Sequence, residues 1–186
     1  MKNLAGFYLM VLITVLQPGC TTHVSVGRKA YFTNKHPQPI GTVRIVIDKS
    51  DYVLKVYDEK GWFASYPVVF GNKSLADKKF QGDRNTPEGN FRITEKRRHE
   101  KWHSFLLLDY PNKESWEKFN HRKSKGIIPA NSNIGGEIGI HGTLPHFNGV
   151  VDAYTNWTEG CISLKNYDLE ELYRIVTVGT IVKIRK

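Results

Sequence analysis

Cysteine, acidic residues and long apolar runs are all scarce in this sequence, and each scarcity narrows what the chain can be. Cysteine occurs twice in 186 residues, at Cys20 and Cys161, which excludes a scaffold stapled by several disulfides. Aspartate and glutamate number 18 against 27 lysines and arginines, for a formal charge of +9. That balance favours an anionic partner such as nucleic acid, an acidic membrane surface or a carboxylate-rich polymer, without choosing among them. The longest apolar stretch, Leu4 to Leu16, has about 13 residues where a membrane-spanning helix needs roughly 20. No internal repeat, heptad pattern or low-complexity tract is present, so solenoids and coiled coils are also excluded. What remains is 40% hydrophobic and 12% aromatic, enough for one good core in a chain too short for two full-sized domains.

The N-terminus sets the expected compartment. Lys2, the apolar run to Leu16, and then Pro18 and Gly19 before Cys20 follow signal-peptide grammar, so residues 1–20 are expected to lie outside the fold. The destination is then the periplasm or cell envelope. Gly19-Cys20 also resembles the end of a bacterial lipoprotein signal, in which the cysteine becomes the lipidated first residue. An aliphatic residue usually stands three places before that cysteine, whereas here Gln17 and Pro18 intervene after Leu16. Secretion and lipid anchoring at Cys20 both stay open, and the anchor is the one membrane attachment expected. Either way the exported domain carries a single thiol, Cys161, which must be buried, paired between chains or chemically used.

Residues 21–41 are polar, contain Pro37 and Pro39, and read as a linker or an extended arm. The core domain is expected over 42–186. Val43, Ile45 and Ile47 alternate as a strand; Tyr52 to Tyr57 and Trp62 to Val69 form a hairpin about Asp58-Glu59-Lys60-Gly61. Gly82 to Gly89 is rich in turn formers and leads into a strand at Asn90 to Thr94, with another at Phe105 to Leu108. Lys113 to Lys125 has helical composition. A second helix, capped by Asn166, places Leu169, Leu172, Tyr173 and Val176 on one face, and a final strand runs from Ile181 to Ile184. The expected fold is mainly β with one or two short peripheral helices.

The chemistry concentrates in Gly139-Ile140-His141-Gly142-Thr143 and Thr158-Glu159-Gly160-Cys161-Ile162-Ser163. A thiol attacks as thiolate, so it calls for a neighbouring imidazole or positive charge, and a histidine on an adjacent strand end supplies one. The turn-rich His146-Phe147-Asn148-Gly149 can return the chain beside itself. Gly160 allows close approach of backbone to a reacting carbonyl, so amides around Cys161 are candidate oxyanion donors.

These residues resemble the L,D-transpeptidase catalytic domain, the YkuD-type domain, whose signature pairs His-Gly with a downstream Ser/Thr-x-Gly-Cys. His141-Gly142 and Thr158-Glu159-Gly160-Cys161 match it, and Gly82 to Gly89 looks like the family's Thr-Pro-Gly-type segment. Many members carry arginine two places after the cysteine, where this chain has Ser163. The resemblance implies a β-sandwich or barrel and acyl transfer on peptidoglycan stem peptides. Cys161 would be nucleophile and His141 acid and base, with Gly160, Thr158 and Gly142 shaping the substrate-binding and oxyanion region. It implies no metal and no cofactor. Water, a second stem peptide or a lipoprotein would be the acyl acceptor.

Other readings of the same residues compete. His141 and Cys161 could be a buried structural histidine and cysteine, and the chain a non-catalytic cell-wall-binding lipoprotein. A sortase-like enzyme would carry a Thr-Leu-x-Thr-Cys segment and a catalytic arginine, neither of which is evident, and papain-like enzymes place cysteine before histidine. Lys96, Arg97, Arg98, His99, Lys101 and His103 surround Trp102; export argues against nucleic acid as their partner, leaving a solvated turn or strand edge, or an acidic-polymer contact. His99, His103, His141, His146 and Cys161 fit no closed zinc-site spacing.

Overall fold

A computed structural model describes residues 27–33 and 35–186; the expected signal peptide and Cys20 lie outside the described residues. Among the described residues nine strands form one sheet: β1 (Tyr31–Phe32), β2 (Arg44–Asp48), β3 (Val53–Asp58), β4 (Gly61–Pro67), β5 (Gly89–His99), β6 (His103–Leu108), β7 (Gly139–His141), β8 (Ile162–Ser163) and β9 (Ile181–Arg185), in the order β1-β4-β3-β2-β9-β5-β6-β7-β8. Alternation drives the pairing. Ile45 and Ile47 of β2, Leu54 and Val56 of β3, and Val182 and Ile184 of β9 point inward and are almost fully buried, each contributing roughly 1.5–3 kcal/mol of burial. The first core strand pairs in parallel with the last, from Arg44↔Ile181 to Asp48↔Arg185.

β5 turns the sheet. Its first residues pair with β9 and its later ones with β6, and the register shifts between Ile93 and Glu95, the kind of irregularity that bends a strand and re-aims it. The sheet continues antiparallel to β7 and parallel to β8. Just past β4, Val69 exchanges backbone hydrogen bonds of 3.0 and 2.9 Å with Ser163. That bridge returns the far edge towards the start and produces the expected mainly β sandwich or barrel.

Three short helices lie against the sheet. α1 (Lys113–Ser124) is capped by Asn112, whose Oδ1 accepts from the Ser115 N–H at 3.1 Å, and it buries Phe119 alone. α2 (Gly149–Asp152) is a single turn inside the loop that the sequence marks as turn-rich. α3 (Asn166–Ile175) buries Leu169 and Leu172 as its periodicity predicts. Its cap differs from the expectation: Lys165 holds the capping position, and Asn166 is the first helical residue, its N–H donated to Asn148 Oδ1 at 2.9 Å. A side chain from the preceding loop performs the capping, which no local pattern reveals.

The described part of the arm lies on the domain. Tyr31 and Phe32 add a short edge strand to β4. The Arg28 guanidinium donates to the carbonyls of Val68, Val151 and Tyr52 and sits 3.8 Å over the Tyr154 ring.

Candidate active site

β7 and β8 run parallel with Ile140 opposite Ile162 and His141 opposite Ser163. Side chains two apart on an extended chain share a face, so Cys161, two residues before Ser163, faces the same way as His141. Both line a cavity of about 410 Å³ with Arg97, Trp102, Phe105, Glu137 and Trp157.

His141 is 3% exposed. Its Nδ1 lies 2.7 Å from the Gly142 carbonyl; a carbonyl can only accept, so Nδ1 carries the hydrogen and Nε2 keeps the lone pair a base needs. The ring lies 4.9 Å from Trp102, stacks on Phe105 at 5.8 Å and 6°, and meets Trp157 edge-on at 5.5 Å. Burial among these faces pushes the imidazole down to about 4; the Gly142 carbonyl opposes the shift and His99 adds to it.

Cys161 is half-buried, and its thiol donates to the Glu137 carbonyl at 3.4 Å. Glu137 itself has φ 55°, in the left-handed region. Burial pushes the thiol up to about 11, although the Gly139 amide and the Lys78 charge both favour the thiolate. The resting pair is therefore neutral thiol and neutral imidazole, not the standing thiolate that the sequence leads one to expect. Walls that exclude water would leave a thiolate–imidazolium pair unsolvated.

Thr158 staples the Cys161 loop: its Oγ1 donates to the Cys161 carbonyl at 2.8 Å and accepts the Gly160 N–H at 3.2 Å. The Gly160 amide is thereby turned inward, away from the oxyanion role considered for it. Glycine is required there because φ is +126° and a Cβ would stand 2.8 Å from the Asn85 carbonyl oxygen. Gly142 links three elements. Its N–H donates to the Trp102 carbonyl at 3.0 Å, its carbonyl accepts from His141 and from Ser163 Oγ at 3.4 Å, and a Cβ would run into the Asn166 side chain. Ser163, fully buried, thus braces the backbone behind His141, and the permanent cation lining the cavity is Arg97.

Several contributors stand out in the sequence only as segments or not at all, without a role at this site. The Gly82 to Gly89 segment buttresses the Cys161 loop through Arg84, whose Nε donates to the Thr158 carbonyl at 3.3 Å. Asp83 holds that segment by accepting from Lys78 Nζ at 2.9 Å and from the Phe80 and Asn85 amides. Arg97 and Trp102 belong to the basic segment, which forms the β5–β6 hairpin tip over the cavity, and only an aromatic set among charges hints at it. Trp157, directly before Thr158, carries no pattern of its own. His146 stays in the exposed loop. Among the described residues no group of three or more His, Cys, Asp or Glu gathers in metal-binding proximity.

A family model of the L,D-transpeptidase catalytic domain matches residues 42–184. The chain belongs to this family. Solved structures agree in fold. The helical cell shape determining protein Pgp2 of Campylobacter jejuni is 22% identical, with 81% of this chain and 52% of that one covered and a TM-score of 0.58. Bd1075 of Bdellovibrio bacteriovorus is 20% identical over 78% of this chain and 48% of that one, at 0.54. An L,D-transpeptidase of Mycobacterium tuberculosis is 15% identical over 78% and 58%, at 0.51. The chain spans about half the length of these structures. None of the curated proteins matches it. Within the L,D-transpeptidase family, the site of this member combines a histidine of defined tautomer with a thiol on the neighbouring strand end.

Proposed function

We propose that this L,D-transpeptidase family member transfers acyl groups of peptidoglycan stem peptides through a thioester on Cys161. The observation that carries the reading is the shared cavity of Cys161 and His141, with Nδ1–H committed to Gly142 and Nε2 left as base. The Cys161 proton passes to Nε2 as the sulfur attacks the carbonyl between an L-centre and a terminal D-residue. The amide C–N bond breaks, the imidazolium protonates the leaving amine, and a thioester remains. An acceptor then attacks, its proton goes to His141, and the thiol is restored. A second stem peptide gives a cross-link, a lipoprotein amine gives attachment, and water gives an L,D-carboxypeptidase.

This chemistry requires the exported location expected from residues 1–20, in the periplasm or cell envelope, with a lipid anchor at Cys20 as one form of it. The likeness to a protein described as determining helical cell shape supports a part in cell-wall remodelling and cell shape. The test is incubation of the protein with purified muropeptides and mass spectrometry of the products, beside Cys161→Ala. Loss of a terminal D-residue or a new cross-link, absent in the variant, is expected. An unchanged muropeptide profile with retained sedimentation on peptidoglycan would instead mean a cell-wall-binding protein.

A further inference from the structure

The β5–β6 hairpin reaches His141 through Trp102 and is itself joined to α3. Residues that alternate along β5 divide the work. Lys96 Nζ donates to the carbonyls of Tyr173 and Val176 at 2.7 and 2.6 Å, while Arg98 grips both oxygens of Glu170 and also donates to Ser104 Oγ at 2.9 Å. α3 thus sets where the hairpin stands. At its tip His103 has φ 62°, and the Trp102 carbonyl accepts from both the Ser104 and Gly142 amides, at 2.6 and 3.0 Å. The Trp102 ring lies between His99, at 4.3 Å and 18°, and His141, at 4.9 Å and 31°. One residue therefore touches the imidazole with its ring and, with its carbonyl, holds the residue whose own carbonyl orients the imidazole.

We propose that Trp102 is a positioning residue for His141, its ring fixing the plane of the imidazole and keeping water from it while its carbonyl fixes Gly142, and that Lys96 and Arg98 hold it in place from α3. The proposal rests on the catalytic reading of His141. It follows from what a base in this cavity needs: a fixed tautomer, a fixed direction for Nε2 and a dry surrounding, which outer groups supply at a typical value of 10- to 100-fold in rate. The other titratable or charged groups about His141 are Arg97 and His99 of β5, Glu137 before β7, and Glu159 and Cys161 before β8. Replacing Trp102 removes none of these charges, although His99 loses the ring on which it stacks.

The test uses the full chain with Trp102→Leu, Trp102→Phe and Arg98→Gln. Three readouts are taken: the imidazole titration of His141 by NMR, the pH profile of Cys161 alkylation by iodoacetamide, and muropeptide turnover resolved into kcat and KM. Trp102→Leu is expected to move the His141 midpoint upward from about 4 towards the ordinary 6.5. It should shift the alkylation profile with it and lower kcat roughly 10- to 100-fold while KM changes less than about threefold. Trp102→Phe should recover most of the loss, and Arg98→Gln should move the same readouts in the same direction by less. A folded Trp102→Leu with an unaltered titration and alkylation profile would overturn the proposal, as would a rise in KM alone, which would make the ring a substrate wall. If thermal melting shows Trp102→Leu unfolded, Trp102→Phe and Arg98→Gln decide by the same titrations. Wild-type protein inert on muropeptides would sink the acyl-transfer reading, and the titration and alkylation would still decide Trp102.

Discussion

Lys49 and Lys78, 0% and 6% exposed, are buried as deeply as His141, at 3%, in the cavity that it shares with Cys161. The lysines each meet a carboxylate, Glu88 at 2.7 Å and Asp83 at 2.9 Å, and the Ala76 and Thr86 carbonyls take up further donors of Lys49. His141 and Cys161 meet aromatic faces and main chain instead, and both are held in their neutral forms. The difference teaches how one small domain uses burial twice. Where an ion pair has fixed geometry, as at Lys49 and Lys78, it sets the shape of the supporting segment. Where no counter-ion is in contact, the same dryness favours the neutral thiol and the neutral imidazole.

The sharpest way to break this comparison is to strip the supporting side of its charge balance. Lys78→Met leaves Asp83 buried without its cation, and a loss of about 3–5 kcal/mol in urea unfolding is expected; a loss under about 1 kcal/mol would show that the loop does not depend on the pair. The next effect is in pH. An unfolded chain binds a proton on His141 near 6.5 and the folded chain only near 4. Stability is therefore fully present above that window and falls as pH drops through it, by on the order of 3 kcal/mol. His141→Gln should flatten that part of the stability curve, measured by denaturation at pH 7 and pH 4.5, and equal slopes for both proteins would refute the neutral-base assignment.

A comparable pH effect, of opposite sign, tests a carboxylate that has no such pair. Asp168 is 1% exposed, its Oδ2 lacks a hydrogen-bond partner, and burial raises its carboxyl to about 7 against the pull of Lys165. The folded state then holds a proton that the unfolded state releases, so stability falls as pH rises from the ordinary 3.8 to about 7. Asp168→Asn is expected to stabilise more at pH 8 than at pH 5, by on the order of 3 kcal/mol, read from melting temperatures. An equal gain at both values would show that ionisation is not what strains the site.

The strands that could be read from the sequence are those whose two faces differ in chemistry. Val43, Ile45 and Ile47 announce β2, and Asp58 to Gly61 announces the β3–β4 hairpin, because turn residues and alternation act locally. The β5–β6 tip could not be read in the same way. Lys96 and Arg98 look like solvated charge until α3 brings the Tyr173 and Val176 carbonyls and Glu170 to meet them. The Asn166 cap misleads for a related reason: the oxygen that satisfies the helix comes from Asn148, which is eighteen residues away and close only after folding. The arm is a further case, since Arg28 finds its acceptors on three separate segments.

By itself the sequence determined the mainly β architecture, the family, and the pairing of His141 with Cys161, because periodicity and a two-part signature are properties of local chemistry. Tertiary structure alone decided the charge state of that pair, the tautomer of His141, the inward turn of the Gly160 amide and the place of Trp102 over the site. Each depends on which groups surround a side chain and how much water they exclude. Neither quantity exists until residues far apart in the chain have been packed together.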